Sequence, residues 1–157
     1  MHRATPFNEA VAKTKWSVGK NEISHLTLPN DVARIPELSV MLETISERSG
    51  MVPGISMSLN LALEEAVTNV MMYAYPEGTE GMLDLYAYLG QGSVEFVLTD
   101  SGKAFNPLDV PDADTTLALE DRPIGGLGIF LIRQIMDSVR YERTPDGKNV
   151  LTMIKNL

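Results

Sequence analysis

Between Ser56 and Tyr75 the residues Leu63, Ala66, Val67, Val70, Met71 and Ala74 recur at i, i+3, i+4, i+7, i+8 and i+11, which lays a single apolar stripe along a helix. A second helical spacing runs from the start signal Asp31 through Val32, Ile35, Leu38, Leu42 and Ile45, until "RSGMVPG" breaks it, and predicts a helix over roughly 31–48. The period changes to two in "EISHLTL", in "MLDLYAYLG" and in "SVEFVLTD". The last two are joined by a short Gly-rich turn and read as a hairpin. After a Pro- and Asp-rich stretch without period (106–124), "GGLGIFLIRQIMDSV" reads as a helix and "RYERTPDGKNVLTMIKN" as two strands about a "PDG" turn. The predicted order is β, α, α, β, β, loop, α, β, β. It is an α+β pattern, a two-layer sandwich with helices on one face of a mixed, mostly antiparallel sheet. Residues 1–21 show no clear period and read as a mobile N-terminal arm ahead of one domain over 22–157.

Composition narrows the class. A chain of 157 residues that is 44% hydrophobic suits one domain with a sizeable core. The absence of cysteine excludes disulfides, zinc thiolate sites and a cysteine nucleophile. No window approaches the ~18 apolar residues of a membrane span, and the first residues lack a signal-peptide apolar region, so a cytoplasmic protein with no membrane partner is expected. The formal charge of −8 disfavours a phosphate backbone as ligand, and no direct nucleic-acid partner is expected.

Three stretches carry chemistry. On the long helix, Ser58, Ala62, Glu65, Asn69 and Tyr73 lie away from the apolar stripe, yet they are too poor in charge for a solvated face, so something is expected to cover them. Glu65 and Asn69 are one helical turn apart and can meet one ligand. In "DSGKAFNP", Asp100 follows straight after an apolar strand, where a buried carboxylate can accept from a ligand amine, and Gly102 lets backbone approach a flat ring. "GGLGIF" opens a helix with three glycines in four positions, so that backbone N–H groups at the positive end of the helix dipole can cradle phosphates. A dinucleotide-binding fingerprint does not fit, because Leu131 stands where its last glycine belongs, and no Walker A loop occurs.

Each motif alone is common; in this order and context they are specific. Together they resemble the GHKL (histidine-kinase-like) ATP-binding domains, and most closely the bacterial anti-sigma-factor serine/threonine kinases. "EEAVTNVMMYAYPEG" looks like the N box of that family, "DSGKAFNP" like its first glycine box and "GGLGIFLIRQIMDSVRYE" like its second. The resemblance implies a Bergerat-type ATP-binding fold from about residue 22 onward, with ATP and Mg²⁺ as ligands. It places Asn69, Asp100, Gly102, Phe105, Gly125, Gly126, Leu127 and Gly128 around the nucleotide, with Asn69 on the metal and Asp100 on the adenine amine. Residues 108–124 become a nucleotide lid and Glu65 a general base. The Glu at that position implies a hydroxyl acceptor, either a serine or threonine or else water, since an imidazole acceptor needs no base. The family further implies a STAS-domain anti-anti-sigma partner, a sigma factor to sequester, and a homodimer, for which the alternating "EISHLTL" offers an edge. A nucleotide-gated binding module with negligible turnover is the rival reading, and an ATPase acting on water a third.

Some positions depart from the family pattern. Asn149 stands in "GKNV" where the family often has Thr, and it receives no assigned role. Tyr73 replaces the usual His four residues beyond the N-box Asn, and Arg122 is a candidate for the γ-phosphate.

Overall fold

Alternating strands send successive side chains to opposite faces, and the sheet they build decides what each face meets. In a computed structural model that describes residues 21–109 and 126–157, five strands pair in the order β1-β2-β3-β5-β4. They are β1 (Asn21–Pro29), β2 (Met82–Gly90), β3 (Ser93–Asp100), β4 (Ser138–Arg143) and β5 (Asn149–Asn156). Every pairing between them is antiparallel, so the parallel component allowed in a mixed sheet does not occur among the described strands. The helices are α1 (Glu37–Ser49), α2 (Pro53–Tyr73) and α3 (Gly126–Ile135). The expected N-terminal arm and nearly all of the expected lid, with Arg122 and Gly125, lie outside the described residues.

The helices share one core with one face of the sheet. Leu38, Met41, Leu42 and Ile45 of α1, the predicted stripe of α2, and Ile129 and Ile132 of α3 bury against Leu83, Leu85, Phe96, Leu98, Leu151 and Met153. Each large side chain removed from water in this way stabilises the fold by about 1.5–3 kcal/mol. β1 stays in phase with this face through an irregularity between Glu22 and Ser24.

Two helix boundaries differ from the periodicity. The helix expected over 31–48 is split: Val32–Arg34 form one 3-10 turn, capped by the Asp31 carboxylate on the Ala33 N–H at 3.0 Å, and α1 starts only at Glu37. Pro36 has no N–H to extend the ladder and becomes the N-cap of the new helix. At the other end of the domain, "DSV" leaves the helix. Met136 N–H still donates to Ile132 at 2.9 Å, but Asp137 N–H donates to the Ile154 carbonyl at 2.8 Å, so the chain has already joined the sheet. Apolar spacing continues through this point; the hydrogen-bond partner changes.

Candidate functional site

The sparse face of α2 is covered as its composition required. Glu65, Asn69 and Tyr73 occupy successive turns, and the beginning of α3 packs on the first two. A Cβ added at Gly128 would stand 2.8 Å from Glu65 Oε2 and 3.3 Å from Asn69 Nδ2, so a glycine there sets how closely the start of α3 approaches the pair. Asn69 is buried and Glu65 half-buried. One turn further along, the Tyr73 ring lies 5.5 Å from that of Phe105, and its buried hydroxyl has no hydrogen-bond partner among the described residues.

Gly102 answers to a different neighbour. A Cβ there would come within 2.3 Å of the Ala74 carbonyl oxygen, and the next N–H, of Lys103, donates to that same oxygen at 2.9 Å. The loop after β3 is thus sewn to the end of α2. Tyr75 adds a second stitch, its hydroxyl accepting from the Ser101 N–H at 3.1 Å and donating to the Met82 carbonyl at 2.8 Å.

At the head of that loop, Asp100 is only 3% exposed. Its Oδ1 accepts from the Gly102 N–H at 2.8 Å and from Asn149 Nδ2 at 3.0 Å. Its Oδ2 is buried and has no partner among the described residues. Burial raises the carboxyl above its ordinary range, against the opposing hydrogen bonds from Asn149 and Gly102 and the positive charges of Arg143 and Lys148. A buried acceptor with an idle oxygen costs stability unless something donates to it, and the fit is to an amine-bearing ligand.

Asn149 is the residue that the sequence left without a role. It sits opposite Asp100 in the β3–β5 register and is 4% exposed. Its amide donates to Asp100 and to the Lys103 carbonyl at 2.8 Å. Its Oδ1 accepts from the Phe105 N–H at 3.2 Å, the Tyr141 hydroxyl at 2.5 Å and Arg143 at 3.1 Å. Arg143 also donates to the Gly102 carbonyl at 2.9 Å, and Lys148 reaches the Ser101 hydroxyl. The only signal in the sequence was an amide at the head of a mostly apolar run, Val150 to Ile154.

The structure therefore brings Glu65, Asn69 and Gly128 together at one end of the α2 face, and Asp100, Gly102 and Phe105 at the other. Gly126 lies in the first turn of α3 and Leu127 follows it, the side chain of Leu127 being outside the described residues. Among the described residues no group of three or more acidic or imidazole side chains is placed to hold a metal.

The raised carboxyl of Asp100 gives a stability prediction. The folded state holds its proton more tightly than the unfolded chain, so its contribution is fully present below the ordinary value of 3.8 and is lost as pH rises through the folded value. Asp100→Asn removes the buried charge and keeps an acceptor for Gly102. Its melting temperature should exceed that of the wild type at neutral pH, with the gain shrinking on acidification; a calorimetric gain that grows towards low pH would contradict this sign.

Known proteins resemble this chain in sequence and in fold. A family model described as a histidine kinase-like ATPase domain matches residues 28–155. The serine-protein kinase RsbW of Halalkalibacterium halodurans is 31% identical over 144 residues, covering 89% of this chain and 86% of that protein. The serine/threonine-protein kinase BtrW of Bordetella bronchiseptica is 29% identical over 112 residues, covering 71% and 78%. A crystal structure of the SiaB-SiaC complex from Pseudomonas aeruginosa contains a chain that superposes with a TM-score of 0.50 at 12% identity, over 99% of this chain and 100% of that one, a likeness of fold. With its two-layer fold, its glycine-bearing start of α3 against Glu65 and Asn69, and a matching model over most of its length, the chain belongs to the histidine kinase-like ATPase family, among relatives that are serine-protein kinases.

Proposed function

We propose that this kinase transfers the γ-phosphoryl group of ATP to a serine or threonine hydroxyl of a STAS-type partner and sequesters a sigma factor, working as a partner switch. The observation that carries the reading is the buried Asp100 with Oδ2 idle at the mouth of a loop sewn to α2. An exocyclic adenine amine supplies the missing donor, and guanine, with a carbonyl at that position, does not. Asn149, Gly102 and Tyr75 hold the acceptor in place before any ligand arrives, so little ordering cost falls on binding. Phe105 and Tyr73 offer an aromatic pair beside the base.

Around the phosphates, Gly126 and Gly128 present the start of α3, where unsatisfied N–H groups and the helix dipole favour negative charge. Asn69 is the residue that would hold Mg²⁺, a cation that takes few protein oxygens and keeps phosphates and waters as its other ligands; bound there, it supplies neutralisation of the phosphate charge. Glu65, one turn away, takes the proton of the attacking hydroxyl as the new O–P bond forms and the bond to the β-phosphate oxygen breaks, releasing ADP. Its carboxylate is not needed to bind the nucleotide. Transfer and binding thus fall on different residues of the same helix face, which is what separates a kinase from a nucleotide-gated binding module.

Removing Asp100 tests the nucleotide. Asp100→Ala loses a charged hydrogen bond of about 1.5–3 kcal/mol, so ATP should bind at least about tenfold more weakly and the preference over GTP should collapse. Wild-type affinity in titration calorimetry would overturn the adenine assignment.

Glu65 tests the chemistry. Glu65→Gln should keep Mg·ATP affinity within a few-fold while phosphorylation of a STAS acceptor falls by roughly 10²–10⁴, the range for a positioned general base. Retained kinase activity would overturn the assignment of Glu65 as the base, whereas a wild type that binds Mg·ATP and its partner without phosphorylating it would favour the binding-module reading.

We also propose a homodimer, because β1 ends the described sheet and no strand among the described residues pairs with its outer edge. Light scattering should then give twice the mass of the chain at tens of micromolar; the mass of a single chain would remove this part of the reading and leave the nucleotide site standing.

A further inference from the structure

A groove of about 1050 Å³ opens where the turn after β1, the last turn of α2 and residues 76–81 ahead of β2 meet. Its floor is apolar and reaches solvent: Val32, Met72 and Met82 are 56%, 52% and 50% exposed. The buried Tyr75 ring backs it, and Gly81 lies so close to that ring that an added Cβ would stand 2.1 Å from it. The rim is acidic. Asp31, Glu77 and Glu80 line it, no lysine, arginine or histidine among the described residues does, and none of the three carboxylates is ion-paired with a described residue. The walls are fixed before any ligand arrives. Asn30 ties the turn after β1 to the 76–81 segment: its Nδ2 donates to the Thr79 carbonyl at 2.9 Å, its Oδ1 accepts from the Gly81 N–H at 3.1 Å, and its own N–H donates to the Gly81 carbonyl at 3.0 Å. Bonded in this way, the segment does not fold down over the methionines, and the apolar floor stays in water at a cost that a partner would remove.

We propose that this groove docks a basic amphipathic segment of a partner protein, its apolar side chains seated on Val32, Met72 and Met82 and its lysines or arginines on Asp31, Glu77 and Glu80. Charge decides among the occupants. Anionic lipid or nucleic acid would bring further negative charge to an uncompensated acidic rim. A second copy in a two-fold contact would set the same three carboxylates against themselves, in a chain whose formal charge is already −8. A cationic segment instead neutralises the rim as it covers the floor. Methionine suits such a contact, because its unbranched, polarisable thioether adapts to side chains of different shape. Recognition of a helix in a groove uses this combination: apolar anchors one turn apart on one face, and charges beside them that fix the direction of the chain. The inference stands apart from the kinase reading, since neither the three carboxylates nor the three exposed apolar residues belong to the nucleotide or phosphoryl-transfer site.

The probe is a synthetic peptide of about 18 residues, five helical turns, with leucines at helical spacing and lysines between them. It is titrated into the full chain at physiological salt and read by NMR of methyl-labelled methionine. The Met72 and Met82 resonances should move, while that of Met57, 75% exposed but outside the groove, should stay. Glu77→Lys with Glu80→Lys should weaken the peptide at least about tenfold, and a peptide with glutamates in place of the lysines should bind that variant better than it binds the wild type. Glu43→Lys with Glu47→Lys makes the same change of charge at exposed positions of α1 and should leave affinity within about twofold, because salt screens charges that distant. Met72→Ala, at an exposed helical position, should weaken the peptide several-fold. The proposal is overturned if the peptide does not bind or moves Met57 equally, or if the α1 variant loses as much affinity as the groove variant, which would make the attraction a general one. It is overturned as well if Met72 and Met82 already shift on dilution of the chain alone, which would make a second copy the occupant.

Discussion

A single buried polar junction between the middle strands organises the site. Asp100 and Asn149 face each other across β3 and β5, and each hydrogen bond of the Asn149 amide fixes a different part of the surroundings: the carboxylate, the Lys103 carbonyl, the Phe105 backbone, Tyr141 and Arg143. Such a network is stabilising only when its members are satisfied, since the low dielectric that strengthens each bond also raises the cost of any missing one. Here one oxygen of Asp100 is left over. The protein gives up stability at that point and gains a fixed acceptor, a trade typical of sites built to receive a ligand.

The rest of the site depends on how closely helices approach this junction. Gly102 allows the loop to lie against the last turn of α2, and Gly128 allows α3 to lie against its middle. Any side chain at Gly102 would meet backbone, which cannot yield, whereas at Gly128 it would meet the far end of Glu65, which can. The first contact sets architecture and the second sets the placement of a reactive carboxylate. Helix α2 joins both: its apolar stripe fills the core while its opposite face lines the cleft, so the hydrophobic effect that buries one side orients Glu65, Asn69 and Tyr73 on the other.

Two faces of one sheet also divide the molecule. The helix side holds the larger core and the candidate nucleotide site; the other side holds the tyrosine row and the buried Glu95. Because neighbouring residues of a strand alternate between these faces, Val94, Phe96 and Leu98 serve the core while Glu95 and Val97 face the opposite way, and a shift of register by one would exchange them. The Asp100–Asn149 pair and the turn at Gln91 and Gly92 lie at opposite ends of β3 and hold that register.

Local periodicity alone determined the order of elements, the stripe of α2 and the alternation in β2 and β3, because apolar spacing of 3.6 or 2 is a property of the chain itself. The motifs around Glu65, Asn69, Asp100 and the glycines were legible for the same reason: each lies within a few consecutive residues. Tertiary structure decided the remainder. Pro36 split the first helix because a missing donor matters only when the ladder is built, and Asp137 left the last helix because a strand partner, Ile154, was within reach. Asn149 showed no role in the sequence since its partners, Asp100, Lys103, Phe105, Tyr141 and Arg143, are brought to it by strand pairing and by the loop sewn to α2. A hydrogen bond between residues 49 apart in the chain is written in the register of a sheet, and the register exists only once the hydrophobic faces have been buried.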